Sequence, residues 1–241
     1  INEDTKKLKE LAFFMKMITE ERVVLALTHL GIVGLYKLDD NGTIVRDNIE
    51  VLNNTCDAIA DGAMPKLETL DLSRNNLYYP TRMASLVRAI ASESLANLKE
   101  LRLNRNRIGD EGMKALSPAV TSLANLKKLD LLHNDIRNEG MKALANALKS
   151  PMSAMANLQH LFLSHNFIKD SGMTAFADAI AVSDSLPSLR AIAMDDREHA
   201  ALVAACKPRS IMVCKPPNIV RDCPRRASLS ASYTSPSVVH V

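Results

Sequence analysis

Residues 98–116 read LKELRLNRNRIGDEGMKAL, and their leucines and asparagine fall in a frame that recurs along the chain. The frame is Leu-x-x-Leu-x-Leu-x-x-Asn-x-(Leu/Ile), and it occurs four times in succession. Its asparagines, at intervals of 31, 28 and 32 residues, are Asn75, Asn106, Asn134 and Asn166. A degenerate fifth copy without the asparagine follows at Leu189, Ile192 and Met194. Such a period predicts a stacked array in which each unit buries its apolar face on its neighbours.

Each part of the frame predicts a local structure. Leucines two apart, such as Leu70 and Leu72, point to the same side of a short strand, and the residues between them face the other side. The asparagine lies where the chain leaves the strand, and its amide can bond backbone groups that the sheet leaves unpaired. The segments after it, such as Gly112–Leu116, have apolar residues at helical spacing, and Asp110, Asn138 and Asp170 before them predict helix caps.

A strand, an asparagine turn and a helix entry such as Ile108-Gly109-Asp110-Glu111-Gly112 resemble the ribonuclease-inhibitor class of leucine-rich repeat proteins. The resemblance covers about Leu67 to Met194. It implies an intracellular α/β fold, a right-handed leucine-rich-repeat horseshoe (a solenoid) with parallel strands on the concave face and helices outside. It leaves function open, because this class includes inhibitors, immune sensors, GTPase activators and cytoskeletal binders.

Three regions follow from the pattern. Residues 1–66 are predicted to form a helical N-terminal cap, which includes a possible degenerate repeat around Leu27, Leu30 and Ile32 with its helix at 48–60. Residues 67–206 form the leucine-rich repeat domain, closed by a helix at 196–206. Residues 207–241 are rich in proline and serine and are predicted to be a disordered basic tail.

Charge is unevenly distributed over the 241 residues. The formal net charge is +3, but residues 207–241 carry six basic residues against one aspartate, a balance of +5 that leaves −2 for the rest. The body therefore does not predict a nucleic-acid-binding surface. The apolar stretch from Val23 to Tyr36 contains His29 and is shorter than the roughly 20 residues of a membrane span, so no membrane association is predicted.

Cysteine and histidine residues do not form a metal or cofactor motif. Cys56, Cys206, Cys214 and Cys223 lack a Cys-x-x-Cys pair, which predicts reduced thiols and a cytoplasmic location. His133 and His165 precede frame asparagines, and solvated turn residues are favoured over a metal pair there. No cofactor and no metal site are therefore expected.

The tail contains a short basic motif, Arg225-Arg226-Ala227-Ser228-Leu229, that resembles the recognition sequence of basophilic kinases. Phosphorylation of Ser228 would add about −1.5 to −2 charges and weaken contacts of the tail with an acidic surface. A coincidental run in a basic tail is the alternative.

Protein recognition is expected on the concave face, because parallel strands present the residues between the leucines in columns. These columns are Thr69, Glu100, Lys128, His160, Ala191, then Asp71, Arg102, Asp130, Phe162, Ala193, then Ser73, Asn104, Leu132, Ser164, Asp195. Phe162 and Leu132 are apolar where polar residues are usual, which predicts anchors for a protein partner unless the tail or the N-terminal helix covers them. The candidate binding residues are Asp71, Arg102, Asp130, Leu132, His160 and Phe162.

The sequence gives little support to catalysis by the chain itself, since it contains no nucleophile motif, phosphate-binding loop or carboxylate pair with a matching base. One alternative is a GTPase-activating protein of the Ran type acting on a small GTPase, with Arg46 or Asn76 near the phosphate. The Asn-Asn-Gly-Leu-Gly-Pro segment and acidic tail of those activators are absent. Another alternative, suggested by a first residue that is Ile1 rather than Met, is a repeat fragment of a larger intracellular sensor.

Overall fold

The structure is a computed structural model that describes residues 3–38, 44–47, 49–150, 155–182, 186–195 and 199–214. Strands and helices alternate along most of these ranges. The strands are β1 (His29–Gly31), β2 (Tyr36–Leu38), β3 (Ile44–Asp47), β4 (Thr69–Asp71), β5 (Glu100–Arg102), β6 (Lys128–Asp130), β7 (His160–Phe162), β8 (Ala191–Ala193) and β9 (Met212–Cys214). The α-helices are α1 (Glu3–Glu20), α2 (Ile49–Ala60), α3 (Pro80–Ala91), α4 (Gly109–Val120), α5 (Asn138–Lys149), α6 (Asp170–Val182) and α7 (Ala200–Cys206).

Seven strands form one parallel sheet in the order β1-β4-β5-β6-β7-β8-β9. The strands β2 and β3 form a separate antiparallel hairpin. The register places each frame leucine opposite the next, from Leu70 through Leu101 and Leu129 to Leu161. This arrangement confirms the predicted α/β leucine-rich-repeat solenoid.

The main core lies between the sheet and the helices. Leu70, Leu101 and Leu129 point from the strands into it and are at most 1% exposed. From the helices, Met113 and Met141 pack into the same cluster, as their spacing predicts. The face of the sheet that the central leucines turn away from is called the concave face below.

Asparagine side chains link consecutive repeats at the end of each strand. The side-chain oxygen of Asn106 accepts the backbone N–H of Asn75 at 2.6 Å, and its Nδ2 donates to the carbonyls of Leu72 and Leu103 at 2.8 and 2.9 Å. Asn134 accepts from Asn106 at 3.0 Å in the same way. The predicted role of the frame asparagine is therefore confirmed, and each amide satisfies backbone groups of two repeats.

Helix caps come from the preceding repeat, which corrects the sequence interpretation. The Oδ1 atom of Asp110 accepts the backbone N–H groups of Arg137 and Gly140, both at 2.8 Å, at the start of α5. Asn138 likewise accepts from Lys169 at 2.8 Å before α6. Asp110 and Asn138 lie inside the first turns of their own helices, so their side chains do not cap those helices. Because the repeats stack, each side chain lies at the start of the next helix instead.

The first complete repeat enters its helix differently, since it has Arg82 before Met83 where the later repeats have a glycine before the methionine. Pro80 occupies the first turn of α3, and Arg82 is buried beneath that turn. Its Nη1 atom donates to the carbonyls of Asn75 and Asn76 at 3.0 and 3.2 Å, and its guanidinium lies 4.7 Å from the centre of the Tyr79 ring. Arg82 therefore satisfies carbonyl groups of the turn.

A strand and a helix precede the complete repeats where the degenerate repeat is predicted. Strand β1 pairs with β4, and Leu30 and Ile32 are buried. The helix α1 packs against α2, with Met15 and Ile18 buried between them. The N-terminal helix therefore covers the end of the helical layer.

The structure corrects the predicted start of the tail at residue 207. Residues Lys207–Arg209 form a 3-10 turn, and strand β9 extends the sheet beyond β8. The side chain of Arg209 donates to the carbonyl of Ile180 at 2.9 Å, and Ile211 is buried. The repeat frame is too degraded here to be visible in the sequence. Residues 215–241, with Ser228, lie outside the described residues.

Candidate functional site on the concave face

The strand register aligns the candidate residues in the predicted columns. One column runs across the sheet from Thr69 through Glu100, Lys128, His160 and Ala191 to Met212. The next runs from Asp71 through Arg102, Asp130, Phe162 and Ala193 to Cys214. Leu132 follows β6 and is half-buried. The charged candidates lie on β4 to β6, and of the apolar candidates Phe162 lies in β7 and Leu132 follows β6.

A network of charges covers the first half of this face. The Nε atom of Arg102 donates to Glu100 Oε1 at 2.9 Å, and its Nη1 lies 3.4 Å from Asp71 Oδ2. Lys128 Nζ also donates to Glu100 Oε1, at 3.0 Å. Burial raises the pKa of Glu100, but the hydrogen bond from Arg102 and the charge of Lys128 outweigh it and lower the pKa overall. Glu100 is therefore ionised, and the side chains of the network hold one another in place.

Asp130 is the least compensated carboxylate of the columns. Its Oδ1 atom accepts the backbone N–H of Leu132 at 3.0 Å, while Arg102 and Lys128 bond Glu100 instead. Burial raises the pKa of Asp130 above its usual value. A donor or a cation on a partner could bind this carboxylate without first breaking an ion pair of the described residues.

An apolar cluster occupies the second half of the face and is separate from the main core. Ala193 and Cys214 are its buried members, and Phe162 and Met212 pack against them. The sequence interpretation included Phe162 but missed Met212 and Cys214, because it placed both residues in the tail. The short apolar run Ile211-Met212-Val213-Cys214 is the signal in the sequence for a last strand.

His160 lies between the two halves. It is 8% exposed, and its Nδ1 atom has no hydrogen-bond partner among the described residues. Burial lowers its pKa, and the nearby charges of Lys128 and Arg190 lower it further. The ring is therefore neutral at pH 7, and its Nδ1 atom is buried without a hydrogen bond.

The described residues contain neither a group of three potential metal-ligating side chains nor a helix long and apolar enough to cross a membrane. His133 and His165 stack face to face, with ring centres 4.2 Å apart.

Cys56, Cys206 and Cys214 are buried thiols, and burial raises the pKa of Cys56 to about 12 and of Cys206 to about 11. The thiols of Cys56 and Cys206 are therefore protonated and unreactive at neutral pH.

Comparison with known families agrees with the repeat boundaries. A family model described as Leucine Rich repeat matches residues 94–117, 122–145 and 154–177. A second model, described as Leucine Rich Repeat, matches residues 66–86. A search of the curated proteins finds no match. The matched segments contain the strands β4 to β7, on which most of the candidate residues lie.

Proposed function

Because this chain is a leucine-rich repeat protein, we propose that it is a non-enzymatic recognition module that binds a protein partner on its concave face. Leucine-rich repeats are generally protein-interaction modules. The observation that carries the proposal is the apolar cluster around Phe162, which lies outside the main core. An apolar centre with polar groups around it is the usual composition of a protein-binding hot spot.

The surrounding polar groups give this surface its selectivity. Asp130 offers an acceptor that has no ion-pair partner within the described residues. Arg102 and Asp71 are already paired, so they orient the neighbouring side chains and take part at the rim. A partner with an apolar side chain for the Phe162 cluster and a cation or donor for Asp130 fits this arrangement.

We also assign the chain to the ribonuclease-inhibitor class and to the cytoplasm. Full α-helices after the strands, such as α4 and α5, support the class, since shorter repeats have no room for them. The three cysteines that remain thiols, Cys56, Cys206 and Cys214, support a reducing compartment.

The small-GTPase alternative has no comparable support. Asn76 is 4% exposed, and the carbonyl of its own backbone is bonded by Arg82. Arg46 lies in β3, which pairs with β2 and is not part of the parallel sheet. The buried Asn76 side chain is poorly placed to reach a bound nucleotide.

The test is affinity capture from a cell lysate with the wild-type chain beside a Leu132→Asp/Phe162→Asp variant. A matched control is Phe13→Asp, which introduces the same change at a phenylalanine that is 70% exposed on α1. We expect the concave variant to lose a partner that the control retains, at equal folding by circular dichroism and thermal melting. If the aspartate variant does not fold, Leu132→Ser/Phe162→Ser is used in its place.

The captured protein is then purified and its affinity is measured directly. A loss of about tenfold or more for the concave variant alone is expected for a central anchor. Equal binding by the wild type and both variants would contradict a concave-face site. Turnover of a substrate by the isolated chain would contradict the non-enzymatic assignment.

A further inference from the structure

The asparagine turns place a second column of side chains at the edge of the sheet where the strands end. Its members each precede a frame asparagine and are Arg74, Arg105, His133 and His165. The backbone N–H of Arg74 donates to Asn104 at 3.0 Å, that of Arg105 to Leu132 at 2.8 Å, and that of His133 to Ser164 at 3.0 Å. The column is therefore held at strand spacing, about 4.8 Å per repeat.

Most of the positive charge on this edge is unpaired. Arg74, Arg105 and Arg107 are exposed, and their guanidinium groups have no ion-pair or hydrogen-bond partner among the described residues. By contrast, Arg88 and Arg102 are bonded to carboxylates. An exposed guanidinium without a partner adds charge to the surface and little to the stability of the fold.

The same edge continues toward α6. Arg137 is exposed and lies 5.9 Å from the centre of the Phe167 ring, and Lys169 is exposed beyond it. The carboxylates nearby are Asp135 and Asp195, and Asp195 lies 3.9 Å from the Nδ1 atom of His165. The end nearest Arg74 and Arg105 is therefore the most positive part of the edge.

The backbone conformation makes these basic side chains unusual. Arg74, Arg105, His133 and His165 have φ angles of 62°, 60°, 55° and 56°, in the left-handed region that glycine and asparagine adopt most easily. Arg107 has the same conformation, with φ of 54°. Since Arg74, Arg105 and Arg107 are exposed, core packing does not account for a long basic side chain at these positions.

We infer that this strip, the basic edge (Arg74, Arg105, Arg107, His133, Arg137 and His165), binds an acidic peptide segment laid across the repeats. Arg74 and Arg105 lie one strand spacing of about 4.8 Å apart, with Arg107 two residues further on, and this spacing suits the carboxylates of an extended chain, whose residues rise by about 3.3 Å. The pKa of His133 is lowered, chiefly by burial, so its ring adds no charge to the edge at neutral pH. The strip is narrow, because Asp110 and Glu111 lie in the first turn of α4 and Glu139 lies in the first turn of α5. A nucleic acid backbone requires a wider positive surface, so the peptide is the better fit.

The test uses the full chain and a short fluorescent oligoglutamate peptide, with binding read by fluorescence anisotropy at low salt. The edge variant is Arg74→Asn/Arg105→Asn, which removes two charges and keeps side chains suited to the left-handed conformation, so folding is retained. The control is Lys114→Asn/Lys142→Asn, which removes two charges from the exposed faces of α4 and α5. Oligoglutamine and oligouridylate serve as neutral and nucleic acid probes.

We expect saturable binding of oligoglutamate that weakens about tenfold or more in the edge variant, persists in the control and in Phe162→Asp, and falls as salt rises. Equal weakening in the edge and control variants would mean that only net charge acts and would overturn the inference. Failure of oligoglutamate to saturate would also overturn it. If oligouridylate binds more tightly than oligoglutamate, with the same dependence on Arg74 and Arg105, the basic edge binds a nucleic acid rather than an acidic peptide, and the inference is overturned.

Discussion

At the scale of single residues, the frame asparagine connects sequence most directly to structure. The amide of Asn106 bonds three backbone groups, two in the preceding repeat and one in its own repeat. Aspartate has a similar size and shape, but it lacks the two N–H donors that these bonds require. Hydrogen bonding, rather than packing, is therefore the reason that this position requires asparagine.

We predict that Asn106→Ala lowers the free energy of unfolding by about 3 kcal/mol, because it leaves buried backbone groups without partners. Urea unfolding followed by circular dichroism measures this change. The control is Asn125→Ala, which removes one exposed hydrogen bond to the carbonyl of Ala96 and should cost less than about 1 kcal/mol. Similar losses for the two variants would mean that the ladder of asparagines does not stabilise the stack.

A second residue-scale prediction concerns His160 and pH. Its pKa is lowered in the folded chain, chiefly by burial, so the unfolded chain binds a proton more readily. The stability associated with the neutral ring is complete above the ordinary histidine pKa of 6.5 and is lost as pH falls below it. We expect His160→Gln to reduce the drop in melting temperature between about pH 7.5 and about pH 5.

Thermal melts at several pH values measure this effect. The control is His29→Gln, which makes the same change at an exposed position on β1. A steeper loss of stability at low pH in His160→Gln than in the wild type would show that the neutral form of His160 is not favoured by folding.

At the scale of helices and strands, the first turns of successive helices lie in close contact, and this contact limits which residues can be substituted there. A Cβ atom added to Gly140 would lie 2.7 Å from Asp110 Oδ1 and 3.1 Å from both the Cα of Asp110 and Cγ2 of Ile136. The same Asp110 oxygen caps the start of α5. The glycine is therefore required by the close approach of one repeat to the next.

We predict that Gly140→Ala destabilises the chain by about 2 kcal/mol, although alanine favours helices over glycine by about 1 kcal/mol. The matched change in the opposite direction is Ala115→Gly, at an exposed position of α4, which should cost only the intrinsic preference of about 1 kcal/mol. Chemical denaturation of both variants provides the comparison. A gain in stability for Gly140→Ala would show that Asp110 moves away without cost.

Particular elements show how far the sequence predicts the fold and the site. The strands β4 to β7 and the helices α4 to α6 follow from a pattern that is local, because each frame position meets its equivalent in the next repeat. The strand β9 and the capping of α5 by Asp110 were not predicted, since both depend on how separate segments stack. For the same reason the predicted column contained Phe162 and Ala193 but not Cys214, which follows them in the structure.

At the scale of the whole molecule, contacts follow the order of the chain. Each helix from α1 to α7 packs on the next one, and each strand of the parallel sheet pairs with its neighbours in the order of the repeats. Stability in such an array is approximately the sum of terms for the repeats and for the interfaces between adjacent repeats. The first and last repeats each have only one neighbouring repeat, so they are expected to unfold locally more readily than the central repeats.

We therefore predict different effects for equivalent losses of apolar volume at the centre and at the N-terminal end. Leu129→Ala removes a side chain that is 1% exposed at the middle of the sheet, and it should cost about 3 kcal/mol and raise hydrogen exchange in the repeats on both sides. Ile18→Ala, in α1, removes a similarly buried side chain that supports the N-terminal end alone. Its effect on exchange should be confined mainly to α1, α2 and β1. Hydrogen exchange with mass spectrometry measures both patterns, and faster exchange of β7 in Ile18→Ala would require coupling that extends beyond neighbouring repeats.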